Sequence, residues 1–117
     1  MILMISAVSL QVSLAADNTD YTGKWQLVEL KTNEGEILDI ERSVGSKEIF
    51  QIFKDQEQFE SISGKHVARG KWKLSSDKKT LSLTIDGLTD TFRVVRSSRT
   101  TRVLAHESLG TLTYERR

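Results

Sequence analysis

A chain of 117 residues has room for one domain and can bury about two-thirds of its unfolded surface in a single core. It contains no cysteine, which excludes disulfides and thiolate metal sites, and no proline. A net charge of +1 leaves no excess of cations to displace counterions from phosphates, so a dedicated nucleic-acid binder is not expected.

The chain opens on MILMISAVSLQVSLAA, and all 17 basic and 16 acidic residues come after this run. It falls short of the ~20 apolar residues needed to span a bilayer. Ser13-Leu14-Ala15 places small residues where a signal peptidase reads, which predicts a signal peptide over residues 1–15. Its basic start is missing, as it would be if the true initiator lay upstream. A buried first strand or helix is the alternative reading. No cysteine follows the run, so a lipidated lipoprotein is excluded. The expected product is one domain over residues 16–117, exported to the periplasm or secreted, with no stable insertion of the mature chain in a membrane.

From Tyr21 onward the apolar period is two. In Ala68-Arg69-Gly70-Lys71-Trp72-Lys73-Leu74, the residues Ala68, Gly70, Trp72 and Leu74 share one face and three cations share the other. Thr80-Leu81-Ser82-Leu83-Thr84-Ile85 repeats the alternation. Both read as half-buried antiparallel strands. Ser75-Ser76-Asp77-Lys78-Lys79 predicts a hairpin loop whose side chains cap its own backbone, and Asp86-Gly87 predicts a two-residue turn. Strands are expected near residues 24–31, 36–41, 48–54, 57–63, 66–74, 80–86, 89–96, 99–106 and 109–115. Within 39–47, Asp39-Ile40-Glu41-Arg42-Ser43 could form a short helical turn instead. Eight or nine short strands joined by short loops predict an all-β, up-and-down meander, and closure into a barrel removes its two exposed edges.

The pattern GKWxL occurs twice, at Gly23–Leu27 and Gly70–Leu74, around the two tryptophans of the chain. The first copy runs on into Val28-Glu29-Leu30-Lys31, a continuing strand, and the second into Ser75-Ser76-Asp77-Lys78, a turn. The copies are therefore not a repeat. They share a local device, a glycine that makes room beside a large ring.

Thr22-Gly23-Lys24-Trp25-Gln26-Leu27, Gly70-Lys71-Trp72-Lys73-Leu74, Asp77–Leu83 and the closing Leu112-Thr113-Tyr114-Glu115-Arg116 form an ordered set over residues 21–117. In this set the chain resembles the lipocalins, and more closely the small lipocalin-like domains of exported bacterial proteins. The resemblance implies a small antiparallel barrel of about eight strands. It implies that Trp25 closes one end of that barrel and that an arginine near the chain's end, Arg116, packs across its ring. The chain departs from larger lipocalins in its length, its lack of disulfides and the absence of a C-terminal helical pattern. Strands of about seven residues leave less room for a cavity than those relatives have.

His66 and His106 are too few and too isolated for a metal site, which takes three or four ligands in the case of zinc. There is no Gly-x-Ser-x-Gly elbow and no glycine-rich phosphate loop, so neither catalytic residues nor a cofactor are expected. Residues 29–60 hold nine acids and four bases, whereas residues 88–117 hold six arginines and three acids. Arg93, Arg96, Arg99 and Arg102 could form an anion-binding patch, but a solvated outer face is the favoured reading. Phe50, Phe53, Phe59, Trp72, Phe92 and Tyr114 are core candidates. Because core and cavity share the inner side of a barrel, Ala68 and Gly70 leave space beside Trp72. The expected site is the barrel interior at Trp72, with Leu83, Phe92 and Tyr114 as neighbours. Two functions follow: a binding module for a small, largely apolar molecule, or a structural or protein-interaction module with a filled barrel, whose partner the residues do not name. A pocket on the order of 300 Å³ or more separates them.

Overall fold

The computed structural model describes residues 21–117. The expected signal peptide over residues 1–15 lies outside them. The order of elements is β1 (Gly23–Lys31), β2 (Ile37–Leu38), α1 (Ile40–Val44), β3 (Ile49–Phe53), β4 (Gln58–Ser63), β5 (His66–Leu74), β6 (Thr80–Ile85), β7 (Leu88–Ser97), β8 (Thr101–His106) and β9 (Gly110–Arg116). From β3 to β9 each strand pairs antiparallel with the next, and β9 returns to pair with β1. Eight strands thus form a closed barrel, as the punctuation of the sequence predicts.

One expected strand is cut short. Only Ile37 and Leu38 of the 36–41 segment pair, against Lys31 and Leu30 of β1. The Asp39 side chain then accepts the Arg42 backbone N–H at 3.0 Å and caps α1, which ends at Gly45 in the left-handed region. The cap competes with the ladder and wins, so the helical alternative is the observed one. Consequently one edge of β1 is shared, by β3 along Gly23–Gln26 and by β2 at Leu30–Lys31. A bulge between Leu27 and Glu29 bends β1 where it meets β9.

The turns form as their chemistry demands. Ser75 Oγ donates to Asp77 Oδ1 at 2.6 Å, and the same oxygen accepts the Lys79 N–H at 3.0 Å. Asp86 and Gly87 both have positive φ, 53° and 79°, which is the type I′ geometry that matches the twist of β6 and β7. Along β5, Trp72 is buried while Arg69, Lys71 and Lys73 are exposed, and in β6 Leu81 and Leu83 are buried. The core is the inner side of the barrel and includes Tyr21, Trp25, Phe53, Phe59, Trp72, Leu81, Leu104 and Tyr114. No helix among the described residues is long and apolar enough to cross a membrane.

Phe50 departs from the expected core. The segment Ile49-Phe50-Gln51-Ile52-Phe53 is apolar on both faces, so its period alone cannot set the register. Pairing of Phe53 with Phe59 sets it. That places Gln51 inside, 7% exposed, and leaves Phe50 only half-buried, with Lys24 Nζ 4.4 Å from its ring centre.

Candidate functional site

The two ends of the barrel are built differently. At one end stand the start of β1, the β5–β6 and β7–β8 loops and the end of β9. Trp25 is fully buried there, and the Arg116 guanidinium lies 4.5 Å from its ring centre. Trp25 and Arg116 are direct cross-strand partners in the β1–β9 seam. Arg116 Nε donates to the Arg99 carbonyl at 2.7 Å and its Nη1 to the Thr22 carbonyl at 3.0 Å. Gly23, at φ 127°, sits where a Cβ would collide with Arg116 Nη1. The first glycine of the Gly-x-Trp pattern therefore makes room for the cation over the ring.

A second guanidinium, not anticipated from the sequence, completes this end. Arg102 is fully buried, 3.4 Å from the ring centre of Tyr21, 3.9 Å from that of Trp25 and 4.9 Å from that of Phe53. Its Nη2 donates to the Tyr21 carbonyl at 2.8 Å, while Nε and Nη1 have no hydrogen-bond partner among the described residues. Burial draws its pKa down from the usual 12.5 to about 10, which leaves it a cation at neutral pH. Aromatic faces supply much of the stabilisation that water would otherwise give the charge. The four-arginine patch is thereby corrected. Arg93, Arg96 and Arg99 are exposed, but Arg102 alternates with Leu104 on the inner face of β8, opposite Tyr114. Arg102, Leu104 and His106 share one alternation of β8 and Thr101, Val103 and Ala105 the other, so period two alone does not turn the cation inward.

Trp72 belongs to this end as well. Its ring stacks on Tyr21, with centres 5.5 Å apart at 20°, and meets Phe53 edge-on at 5.5 Å. Its Nε1 donates to the Lys54 carbonyl at 2.9 Å. The space expected beside it is closed, because a Cβ on Gly70 would run into the Thr84 carbonyl oxygen. The second glycine admits a neighbouring strand rather than a ligand, so Trp72 does not line the cavity.

The opposite end is underfilled. A cavity of about 430 Å³ opens between the β6–β7 and β8–β9 turns and runs down to Phe59, Leu83, Phe92, Leu112 and Tyr114. Three of the four residues expected to line a site, Leu83, Phe92 and Tyr114, thus share one wall. Burial holds the Tyr114 phenol above its usual pKa, with Arg102 pulling the other way. Asp86 and Asp90 stand at the exposed mouth beside Leu88 and Leu109. Gln51 and Ser61, direct partners across β3 and β4, break the apolar wall, and Gln51 Oε1 has no hydrogen-bond partner among the described residues. Gln51 lies two residues from Phe53 on the same face, but apolar residues on both sides of the strand leave its direction to the pairing with β4.

Two other depressions, of about 490 and 370 Å³, include long cationic side chains, Arg93 in the first and Lys47 and Arg117 in the second. At the rim, His106 Nδ1 accepts the backbone N–H groups of Ser108 and Leu109, each at 3.1 Å. In the neutral ring Nε2 therefore carries the proton, which it donates to Asp90 at 3.1 Å. This fixes the turn that carries Leu109. Among the described residues no three His, Asp or Glu side chains gather as metal ligands.

No family model and no curated protein sequence matches the chain. Solved structures do. It is similar to a lipocalin-like protein from Bacteroides uniformis, at TM-score 0.65 and 18% identity, over 84% of this chain and 99% of that one. It is similar also to an uncharacterized protein from Bacteroides eggerthii, at TM-score 0.63 and 18% identity, over 82% and 98%. At such identity the likeness speaks for the fold alone. Together with the closed antiparallel barrel and the Trp25–Arg116 seam, it identifies the architecture of this chain as lipocalin-like.

Proposed function

We propose that the chain is a non-catalytic binding module that holds a small, largely apolar molecule in the open end of its barrel. The cavity of about 430 Å³ carries this reading, since it lies within the ~300–1,000 Å³ typical of ligand pockets and is walled by rings and aliphatic chains. A barrel built only to present its outer surface would gain stability by filling that volume. Binding is favoured over catalysis because the cavity's carboxylates, Asp86 and Asp90, stand at the solvated mouth rather than among the buried walls. The apolar run before Asp17 extends the proposal to export, with the ligand met in the periplasm or outside the cell.

Native mass spectrometry of the full chain purified from its own host tests the reading. A co-purifying small mass, released on unfolding, is the expected outcome. Protein that arrives bare and takes up no hydrophobic fluorescent probe would favour the interaction-module alternative.

A further inference from the structure

We propose that Gln51 is the polar anchor of the cavity and that the ligand is an apolar chain or ring bearing a hydrogen-bond donor head, an alcohol, amine or amide rather than a carboxylate. This rests on the binding reading above and gives it a chemical class.

Two independent observations point the same way. The first is an acceptor without a donor. Gln51 is 7% exposed, it borders the cavity, and its Oε1 makes no hydrogen bond among the described residues. A buried carbonyl left unpaired is costly, and most such groups in folded proteins find a partner. An apolar side chain at this position would avoid the penalty. The amide acquires a use if the cavity's occupant supplies the missing N–H or O–H. Its neighbour across the ladder, Ser61, adds a hydroxyl to the same patch of wall.

The second observation is the sign of the charge around the opening. Asp86 and Asp90 border the cavity, and no lysine or arginine does. The nearby buried cation, Arg102, is turned toward Tyr21, Trp25 and Phe53 and does not border it. A carboxylate entering would meet two like charges at the mouth, a repulsion that the neutral Gln51 amide and Ser61 hydroxyl below them would not cancel. A donor head meets an acceptor, and a cationic head is attracted at the mouth as well. The orphan acceptor and the acidic mouth thus both select the same ligand chemistry.

Four probes of one chain length separate the outcomes: octane, octanol, octylamine and octanoate, each read by displacement of a fluorescent hydrophobic probe from the full chain. Octanol and octylamine should bind more tightly than octane by about tenfold, the equivalent of one hydrogen bond, and octanoate should bind less tightly than either. In Gln51→Leu that preference should vanish. Gln51→Met, which keeps the length without donor or acceptor, gives the same comparison should the leucine variant fail to fold. Octanoate binding as tightly as octanol, or a preference for octanol that survives both variants, would overturn the anchor. If octane binds and octanol gains nothing, the anchor fails while the binding reading stands. If no probe binds, both fall.

Discussion

The closed and open ends of the barrel are made from the same alternating strands, yet one is filled and the other underfilled. At the closed end, Tyr21, Trp25, Phe53 and Trp72 pack with Arg102 inside, and Arg116 covers the Trp25 ring. At the open end, Leu83, Phe92, Leu112 and Tyr114 surround empty volume, and a glutamine faces inward with its oxygen unpaired. The closed end also holds buried polar atoms without a hydrogen bond among the described residues, Tyr21 Oη, Trp25 Nε1 and Arg102 Nε and Nη1, but there the guanidinium lies against aromatic rings rather than empty volume. The contrast separates two tasks within one sheet: holding the seam shut, and leaving room.

The largest effect should come from the closed end. Trp25→Ala removes a fully buried indole from between β1 and β9, and chemical denaturation should show a loss of ~3–5 kcal/mol. At the open end Leu83→Ala should cost about 2 kcal/mol, the low end for buried leucine, because it enlarges a void that already exists. Equal losses from the two would erase the distinction between the ends. Trp72→Phe should cost about 1–2 kcal/mol through loss of the bond to the Lys54 carbonyl, and should leave uptake of apolar probes unchanged. Altered uptake would return Trp72 to the binding wall. Gln51→Leu should change stability by less than about 1 kcal/mol, in the stabilising direction, since it removes a buried carbonyl that nothing satisfies. A clear loss of stability would mean that the amide serves the fold.

The mildest signal lies at alkaline pH. Tyr21 and Tyr114 are the two tyrosines of the chain, and burial raises the pKa of both. Their contribution to stability is complete below the unfolded value of about 10 and is lost as pH rises beyond it. Arg102, whose pKa is drawn down to about 10, opposes this over the same range. Two phenols against one guanidinium should leave a shallow net decline. Tyrosinate absorbance should appear in the folded protein only above the pH at which free tyrosine ionises. Ionisation of either tyrosine at its ordinary pH would show that its ring is wetter than its burial implies.

Most of the barrel was legible because β5 and β6 alternate cleanly and their turns carry Ser, Asp and Gly where the backbone needs them. The Asp86-Gly87 hairpin follows from two letters. What escaped notice lay where a strand's two faces are chemically alike or where a charge goes inward. Ile49–Phe53 offers apolar residues on both sides, so only pairing with β4 decides that Gln51 turns in and Phe50 out. Arg102 looked like its exposed neighbours Arg96 and Arg99, because no local pattern announces a cation destined for three aromatic faces. Trp72 was correctly turned inward, but its depth along the barrel depends on the approach of Thr84 to Gly70, a non-local contact. Facing could be read from period two; depth could not.

The seam between β1 and β9 also bears on how fast the molecule forms. Pairings from β3 to β9 each close over a short connection, so these hairpins can assemble in any order within microseconds of one another. Pairing β1 with β9 must gather the two ends of the described chain, where Arg117 N–H reaches the Lys24 carbonyl at 2.8 Å. That step carries the largest loop entropy and is the natural bottleneck of folding. Trp25, Arg102 and Arg116 would then be latches set last, and their mutation should quicken unfolding far more than it slows refolding, a division that stopped-flow kinetics can read directly.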